Sequence, residues 1–155
     1  MTTSQFSYRL LFLAFGLGVF LNLYFFSPQQ NEPWSAKQLM QPAELVALLK
    51  DEKVKPIIYN IGPAGNIRGS ITIGNTKDEE NLQKLKADLR KRPKDAFIVL
   101  YCGCCPFKDC PNIRPAFRLL NQENFKNHRL LDIPKNLKVD WIDKGYPMED
   151  EPKKR

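Results

Sequence analysis

The four cysteines of the chain lie together in one short segment, Cys102-Gly-Cys-Cys-Pro-Phe-Lys-Asp-Cys110. A cysteine thiolate is a nucleophile, a partner in thiol–disulfide exchange and a ligand for soft metal ions. A spacing this dense lets one thiol act on the product of another. The segment therefore predicts sulfur chemistry of three possible kinds: attack by a single thiol, redox exchange among several, and metal binding.

Two elements must position these thiols. The apolar run Ala96–Tyr101 is typical of a buried strand, which would end at Cys102. Pro111 and Pro115 predict a helix start with Asn112 as its N-cap, because proline lacks an N–H and fits only the first turn. In open α/β sheets, ligands bind where the carboxyl end of a strand meets a helix N-terminus. We expect the site there.

The additional cysteines, Cys104, Cys105 and Cys110, allow alternative roles. Each could attack a persulfide on Cys102, or resolve a disulfide or sulfenic acid formed there. In an oxidising compartment, Cys110 could instead form a structural disulfide with Cys104 or Cys105, since a bridge between adjacent cysteines would close a strained ring. The loop could also bind Cu(I) or Zn(II), with every ligand coming from one short segment. We predict no resident metal and no cofactor.

Strands and helices alternate along the chain, which indicates a small three-layer α/β domain with a mostly parallel central sheet. Trp34 and Trp141 are expected to be packing residues, and His128 a surface residue. The remaining predicted strands are Gln38–Met40, Pro56–Ile61, Ser70–Ile73 and Arg129–Leu131, and the helices begin at Pro42, span Thr76–Arg92, and run from Pro134 to a stop at Gly145.

Composition is typical of one globular domain: 155 residues, of which 26% are charged and 43% hydrophobic. The net charge is +7, and many of its basic residues fall on the exposed face and last turn of the predicted helix Thr76–Arg92. No basic stretch is interleaved with aromatic residues as a nucleic-acid platform requires. We therefore expect no nucleic-acid partner.

A hydrophobic segment, Leu10–Phe26, precedes the domain and predicts an N-terminal hydrophobic helix in a membrane. The small residues of a signal-peptide cleavage site are missing, which favours an uncleaved anchor. Arg9 ahead of the segment would hold the N-terminus in the cytoplasm, so the domain would be periplasmic or extracellular. Cleavage would instead secrete it. The predicted boundaries are 1–30 for the anchor or signal segment, 31–150 for the domain and 151–155 for a charged tail.

The order of elements resembles that of the rhodanese-like domain family. The strand and cysteine Phe97–Cys102, the late turn Phe125–Asn127 and the ending Trp141-Ile-Asp-Lys-Gly-Tyr-Pro147 match the family's pattern, and Ile67–Ile73 is similar to its loop into the second core strand. The resemblance covers roughly residues 36–150. It implies a sulfurtransferase that carries a persulfide on a catalytic cysteine, here Cys102, between a small sulfur-donor anion and a thiol acceptor.

In this interpretation, loop N–H groups and a helix N-terminus lower the pKa of Cys102. Lys108 and Arg114 are the candidates to bind the donor's oxyanion or the departing sulfite. Arg114 is alternatively a helix-surface residue, and Cys102 alternatively an inert buried thiol. The full predicted cradle comprises Gly103, Cys104, Cys105, Lys108 and Arg114.

The chain also departs from the family pattern. Asn60, Gly62 and Asn66 stand where the family usually carries Asp, Arg and His, and the loop from Cys102 to the first basic residue, Lys108, is one residue longer. These departures indicate an alternative from a different class: a catalytically silent module that keeps the fold for binding or sensing.

Overall fold

The computed structural model describes residues 32–51 and 53–149. The predicted hydrophobic helix Leu10–Phe26 and the charged tail 151–155 lie outside these residues. The strands are β1 (Leu39–Met40), β2 (Ile57–Asn60), β3 (Ser70–Thr72), β4 (Ile98–Tyr101) and β5 (His128–Leu131), and the helices are α1 (Pro42–Lys50), α2 (Glu79–Leu89), α3 (Ile113–Gln122) and α4 (Leu137–Asp140). Short 3-10 turns span Ala36–Gln38, Phe107–Asp109 and Ile142–Lys144.

One five-stranded sheet has the order β1-β5-β4-β2-β3, and every pair in it is parallel. The predicted α/β domain with a parallel sheet is confirmed. All four residues of β4 are buried, as expected for the central strand of a parallel sheet. Asn60 at the end of β2 pairs with Tyr101 at the end of β4. The carboxyl ends of these two strands therefore lie side by side, immediately before Cys102.

Helices cover both faces of the sheet because alternate residues of a strand point to opposite sides. Ile98 and Leu100 pack in one core cluster with residues of α2 and α3, and Val99 and Tyr101 in a second cluster with residues of α1 and α4. Such burial contributes about 1.5–3 kcal/mol for each large apolar side chain. β4 is thereby fixed from both sides, and so is the residue that follows it.

The second helix begins later than the predicted Thr76. The Thr76 hydroxyl donates to the Asn112 carbonyl at 2.6 Å, and the Lys77 N–H donates to Asn112 Oδ1 at 3.1 Å. These bonds hold residues 76–77 against the start of α3 rather than in a helical turn. α2 consequently starts at Glu79. The segment before it helps to position the loop that carries the cysteines.

The final helix also starts later than predicted, at Leu137, because Asn136 caps it by accepting from the Val139 N–H at 2.9 Å. The helix also ends earlier than predicted, at Asp140, because the backbone of Trp141 is not helical; Gly145, with a left-handed φ of 67°, ends the separate 3-10 turn Ile142–Lys144. Trp141 is fully buried, as expected of a packing residue.

The surface location predicted for His128 is wrong. Its side chain is buried in β5, with its ring centroid 4.6 Å from that of Phe117, and burial lowers its pKa. The physical reason is that β5 lies inside the sheet, between β1 and β4, and begins at His128, one residue before the predicted start at Arg129.

In the part of the chain that the structure describes, no helix is long and apolar enough to cross a membrane.

Candidate functional site: the Cys102 thiol cluster

Cys102 is the first residue after β4, and it is only 1% exposed. The Ile61 N–H donates to the Tyr101 carbonyl at 2.9 Å, which continues the β2–β4 ladder to the residue immediately before the cysteine. The sulfur is therefore held by the most rigid part of the fold. Its position at the carboxyl edge of the sheet is the one that the sequence predicted.

Polar groups from the loop and the following helix converge on Cys102 Sγ. The Asn112 side-chain amide donates to it at 3.3 Å, the Cys104 sulfur is also 3.3 Å away, and the Cys110 sulfur lies within 4.8 Å. Hydrogen-bond donors favour the charged form of the group that accepts from them. The cluster is thus arranged around a sulfur anion.

Asn112 does not cap α3 in the way the sequence predicted. It occupies the N-cap position, but its backbone is already helical and its side chain makes no capping bond. The amide instead donates to Cys102 Sγ through Nδ2 and accepts from the Lys77 N–H through Oδ1. Its role at the sulfur was missed because the local pattern that marks a helix start says nothing of a contact ten residues back.

Within the three-sulfur group, the negative charge belongs to Cys102. The hydrogen bond from Cys110, with those from Asn112 and Cys104, outweighs burial and lowers the pKa of Cys102 to about 5. Burial and the neighbouring Cys102 and Cys105 raise the pKa of Cys104 to about 12. The bond that Cys110 donates to Cys102, together with burial, raises the pKa of Cys110 strongly. At neutral pH Cys102 is therefore a thiolate beside the protonated thiols of Cys104 and Cys110.

Two glycines permit this packing. A Cβ on Gly62 would lie 2.2 Å from Cys102 Sγ, so only glycine leaves room for the sulfur. Gly103 has φ +74°, a conformation that L side chains rarely adopt, and a Cβ there would approach Leu137 Cβ to 2.8 Å. The sequence placed Gly103 in the cradle, whereas it noted Gly62 only as a departure from the family pattern.

The Asn60 amide organises the loop that faces the cysteines. Its Nδ2 donates to the Ala64 carbonyl at 2.7 Å and to Asn66 Oδ1 at 3.0 Å, and its Oδ1 accepts from the Gly62 N–H at 3.2 Å. Asn60, Gly62 and Asn66, which the sequence singled out as unusual, therefore belong to one structural unit. That unit places the Gly62 backbone against Cys102.

The two predicted anion-binding cations lie outside the hydrogen bonds of the thiol cluster. Arg114 Nη2 donates to Glu32 Oε1 and to the Lys108 carbonyl, both at 2.7 Å, and its guanidinium lies 5.6 Å from the Trp34 ring centre. These contacts are those of a half-buried helix-surface residue. Lys108 is exposed and borders a cleft of about 580 Å³, also lined by Leu39, Pro106, Phe107, Asp109, Asp132 and Pro134.

The sulfur atoms of Cys102, Cys104 and Cys110 all lie within 4.8 Å of one another. Cys104 is exposed, whereas Cys102 and Cys110 are buried. Cys105 Sγ is 3.4 Å from Cys104 Sγ but does not belong to this three-sulfur group. All four are free cysteines in the structure. Their proximity permits nucleophilic, redox and metal chemistry alike.

A scan of this chain against models of protein families finds no match, and a search of curated proteins finds no relative. Function must therefore be argued from the thiol cluster itself.

We predict that alkylation of Cys102 by iodoacetamide stays near its maximum from pH 8 down to about pH 6 and falls as the pH drops through about 5, because its thiolate persists to that pH. Mass spectrometry of each cysteine after short exposure measures the midpoint. Asn112→Leu removes one donor from the thiolate and should raise the midpoint. A midpoint near 8.5 in the unaltered protein, which is about the value of an ordinary thiol, would contradict the expectation.

Gly62→Ala should lower the free energy of unfolding by roughly 1–3 kcal/mol, because the new methyl group overlaps Cys102 Sγ. Gly65→Ala is the matched control: its Cβ meets only the flexible end of Met148, at 3.0 Å. Urea denaturation of both variants measures the difference. Equal stability of the two would mean that Cys102 does not pack against Gly62.

Proposed function

We propose that the protein is a rhodanese-like sulfurtransferase that carries a persulfide on Cys102. The observation that carries this proposal is one buried sulfur at the carboxyl end of the central strand, with the Asn112 amide and the Cys104 thiol each 3.3 Å from it and the Cys110 thiol within 4.8 Å. A thiol that serves only to fill a core needs no such donors, because a buried cysteine packs as a small hydrophobe. A sulfur that must become an anion, and then hold a second anionic sulfur, does need them.

The proposed first half-reaction uses a small anion with an outer sulfane sulfur, such as thiosulfate. The Cys102 thiolate attacks the outer sulfur, a new S–S bond forms, and the bond to the inner sulfur breaks so that sulfite leaves with its electron pair. The amide of Asn112 and the N–H of Cys104 are placed to stabilise the persulfide anion that results. A thiol acceptor then takes the sulfane sulfur. Neither half-reaction requires a cofactor.

We propose further that the hydrophobic segment Leu10–Phe26 anchors the protein in a membrane with this domain outside the cytoplasm. Arg9 ahead of the segment supports that orientation. Lys108, which belongs to the cysteine loop and is exposed at the edge of a cleft, would attract an anionic donor from solvent.

The test is thiosulfate-to-cyanide sulfur transfer by the full-length protein in detergent, followed as thiocyanate. Cys102→Ser should reduce the rate to that without protein, because serine cannot hold the sulfane sulfur. Cys105→Ser removes a thiol of the same loop that lies outside the three-sulfur group, and measurable transfer is expected to remain. Equal rates for the unaltered protein and Cys102→Ser, over several sulfane donors, would refute the proposal.

A second candidate function, metal binding without catalysis, is favoured by one observation: the sulfurs of Cys102, Cys104 and Cys110 lie within 4.8 Å of one another. Three thiolates bound to one ion at about 2.3 Å stand about 4 Å apart, so little rearrangement would be required. A ligand set made only of sulfur selects soft ions such as Cu(I) or Zn(II). Binding would displace the protons that Cys104 and Cys110 carry.

Anaerobic titration of the reduced full-length protein, with Cu(I) and Zn(II) in separate experiments and a competing chelator, tests this candidate. We expect one equivalent of Cu(I) or Zn(II) to bind and Cys110→Ser to weaken binding by at least about tenfold, because one ligand is lost. Cys105→Ser should weaken it much less. Equal losses in the two variants, or no retention against the chelator, would exclude the three-sulfur site.

A further inference from the structure

We infer that Cys104 is an internal acceptor, which discharges the Cys102 persulfide as hydrosulfide and leaves a Cys102–Cys104 disulfide. This inference rests on the proposed function and extends it, because it names the acceptor and the product of the same site. The protein would then reduce a sulfane sulfur rather than pass it intact to another molecule.

The distance between the two sulfurs carries the inference. Cys104 Sγ lies 3.3 Å from Cys102 Sγ although only one residue separates them. Gly103 makes this approach possible, because its left-handed φ of +74° turns the chain back toward the end of β4. The turn is held in place by the Leu137 N–H, which donates to the Gly103 carbonyl at 2.8 Å. The backbone conformation at Gly103 therefore brings Cys104 next to Cys102.

Burial points to the same partner. Asn112 and Cys110, two of the neighbours of Cys102 Sγ, are buried, and the Gly62 backbone closes another side. Cys104 is the exposed member of the cluster. A donor must approach Cys102 from the side where Cys104 lies, and the sulfur that it leaves behind remains on that side. The Cys104 thiol lies on that side, 3.3 Å from Cys102 Sγ, so it reaches the site without approaching from solvent.

The chemistry of the step balances without a further reagent. The Cys104 sulfur attacks Cys102 Sγ, a Cys102–Cys104 S–S bond forms, and the bond from Cys102 Sγ to the sulfane sulfur breaks. The sulfane sulfur leaves with the electron pair and takes the Cys104 thiol proton, so a persulfide anion and a thiol become a disulfide and hydrosulfide. The two cysteine sulfurs supply the two electrons that reduce the sulfane sulfur.

A completed cycle then requires an external dithiol, which reduces the disulfide by thiol exchange. The exposed sulfur of Cys104 is the natural point of attack, since exchange depends on access to one sulfur of the bridge. The overall reaction is thiosulfate plus dithiol to sulfite, hydrosulfide and disulfide. Cyanide, which takes the sulfane sulfur directly, would compete with Cys104.

The experiment is a single turnover of the full-length protein in detergent with one equivalent of thiosulfate under anaerobic conditions. The protein is first reduced, and the added reductant is then removed. Sulfite, sulfide and the intact mass are measured together. We expect the unaltered chain to release one sulfite and one sulfide and to lose two hydrogens, with the disulfide mapped to Cys102 and Cys104. Cys104→Ser should release sulfite, gain the mass of one sulfur, and release no sulfide until a thiol is added.

Cys105→Ser and Cys110→Ser decide whether another thiol of the loop is the acceptor. Cys105→Ser should still release sulfide, and Cys110→Ser should do so more slowly, because it loses a thiol beside Cys102 Sγ. The inference is overturned if the unaltered chain retains the added sulfur as Cys104→Ser does, or if the disulfide maps to Cys105 or Cys110. In either case sulfite release would still support the persulfide on Cys102. Absence of sulfite from every variant would overturn the proposed function together with the inference.

Discussion

The hydrogen bonding of one buried sulfur is the constraint on which the site depends. A thiolate that is removed from water is costly unless donors replace its hydration. Here the polar groups around the sulfur come from three separate positions: the Cys104 thiol and the Asn112 amide, each at 3.3 Å, and the Cys110 thiol within 4.8 Å. The loop between β4 and α3 must fold back on Cys102 to deliver them, which explains why its cysteines are so closely spaced.

The sheet supplies the fixed point for that loop. β4 is buried along its whole length and pairs with a strand on each side. Because Cys102 directly follows β4, its position is fixed by the sheet rather than by the loop. The opposite wall is equally constrained, because the Asn60 amide bonds the segment that brings Gly62 against the sulfur. The reactive atom thus lies between the end of a buried strand and a hydrogen-bonded turn, and the exposed residue Cys104 lies against it.

The parts of this arrangement that depend on local pattern could be predicted from the sequence. The apolar run before Cys102 and the prolines around Asn112 indicated a strand, a loop and a helix, and their order indicated a parallel α/β sheet. Features that depend on contacts between distant residues could not be predicted. Asn112 has the residue type and the position of a helix N-cap, and nothing near it in the chain indicates that its amide contacts a sulfur. The burial of His128 likewise depends on which strands flank β5.

The amide of Asn112 is chemically directional, and both of its ends are in use: nitrogen faces the sulfur and oxygen faces the Lys77 N–H. Its backbone carbonyl additionally holds Thr76. Aspartate, the closest residue in shape, would preserve the bond to Lys77 but set a carboxylate against the thiolate. Residue 112 therefore requires a side chain with both a donor and an acceptor, and similarity in size is not sufficient. A change of charge on Cys102 Sγ would change its interaction with the Asn112 amide. Because the same amide accepts from the Lys77 N–H, that change would also act on the segment that leads into α2. The charge of Cys102 is therefore linked electrostatically to the helical layer outside the sheet.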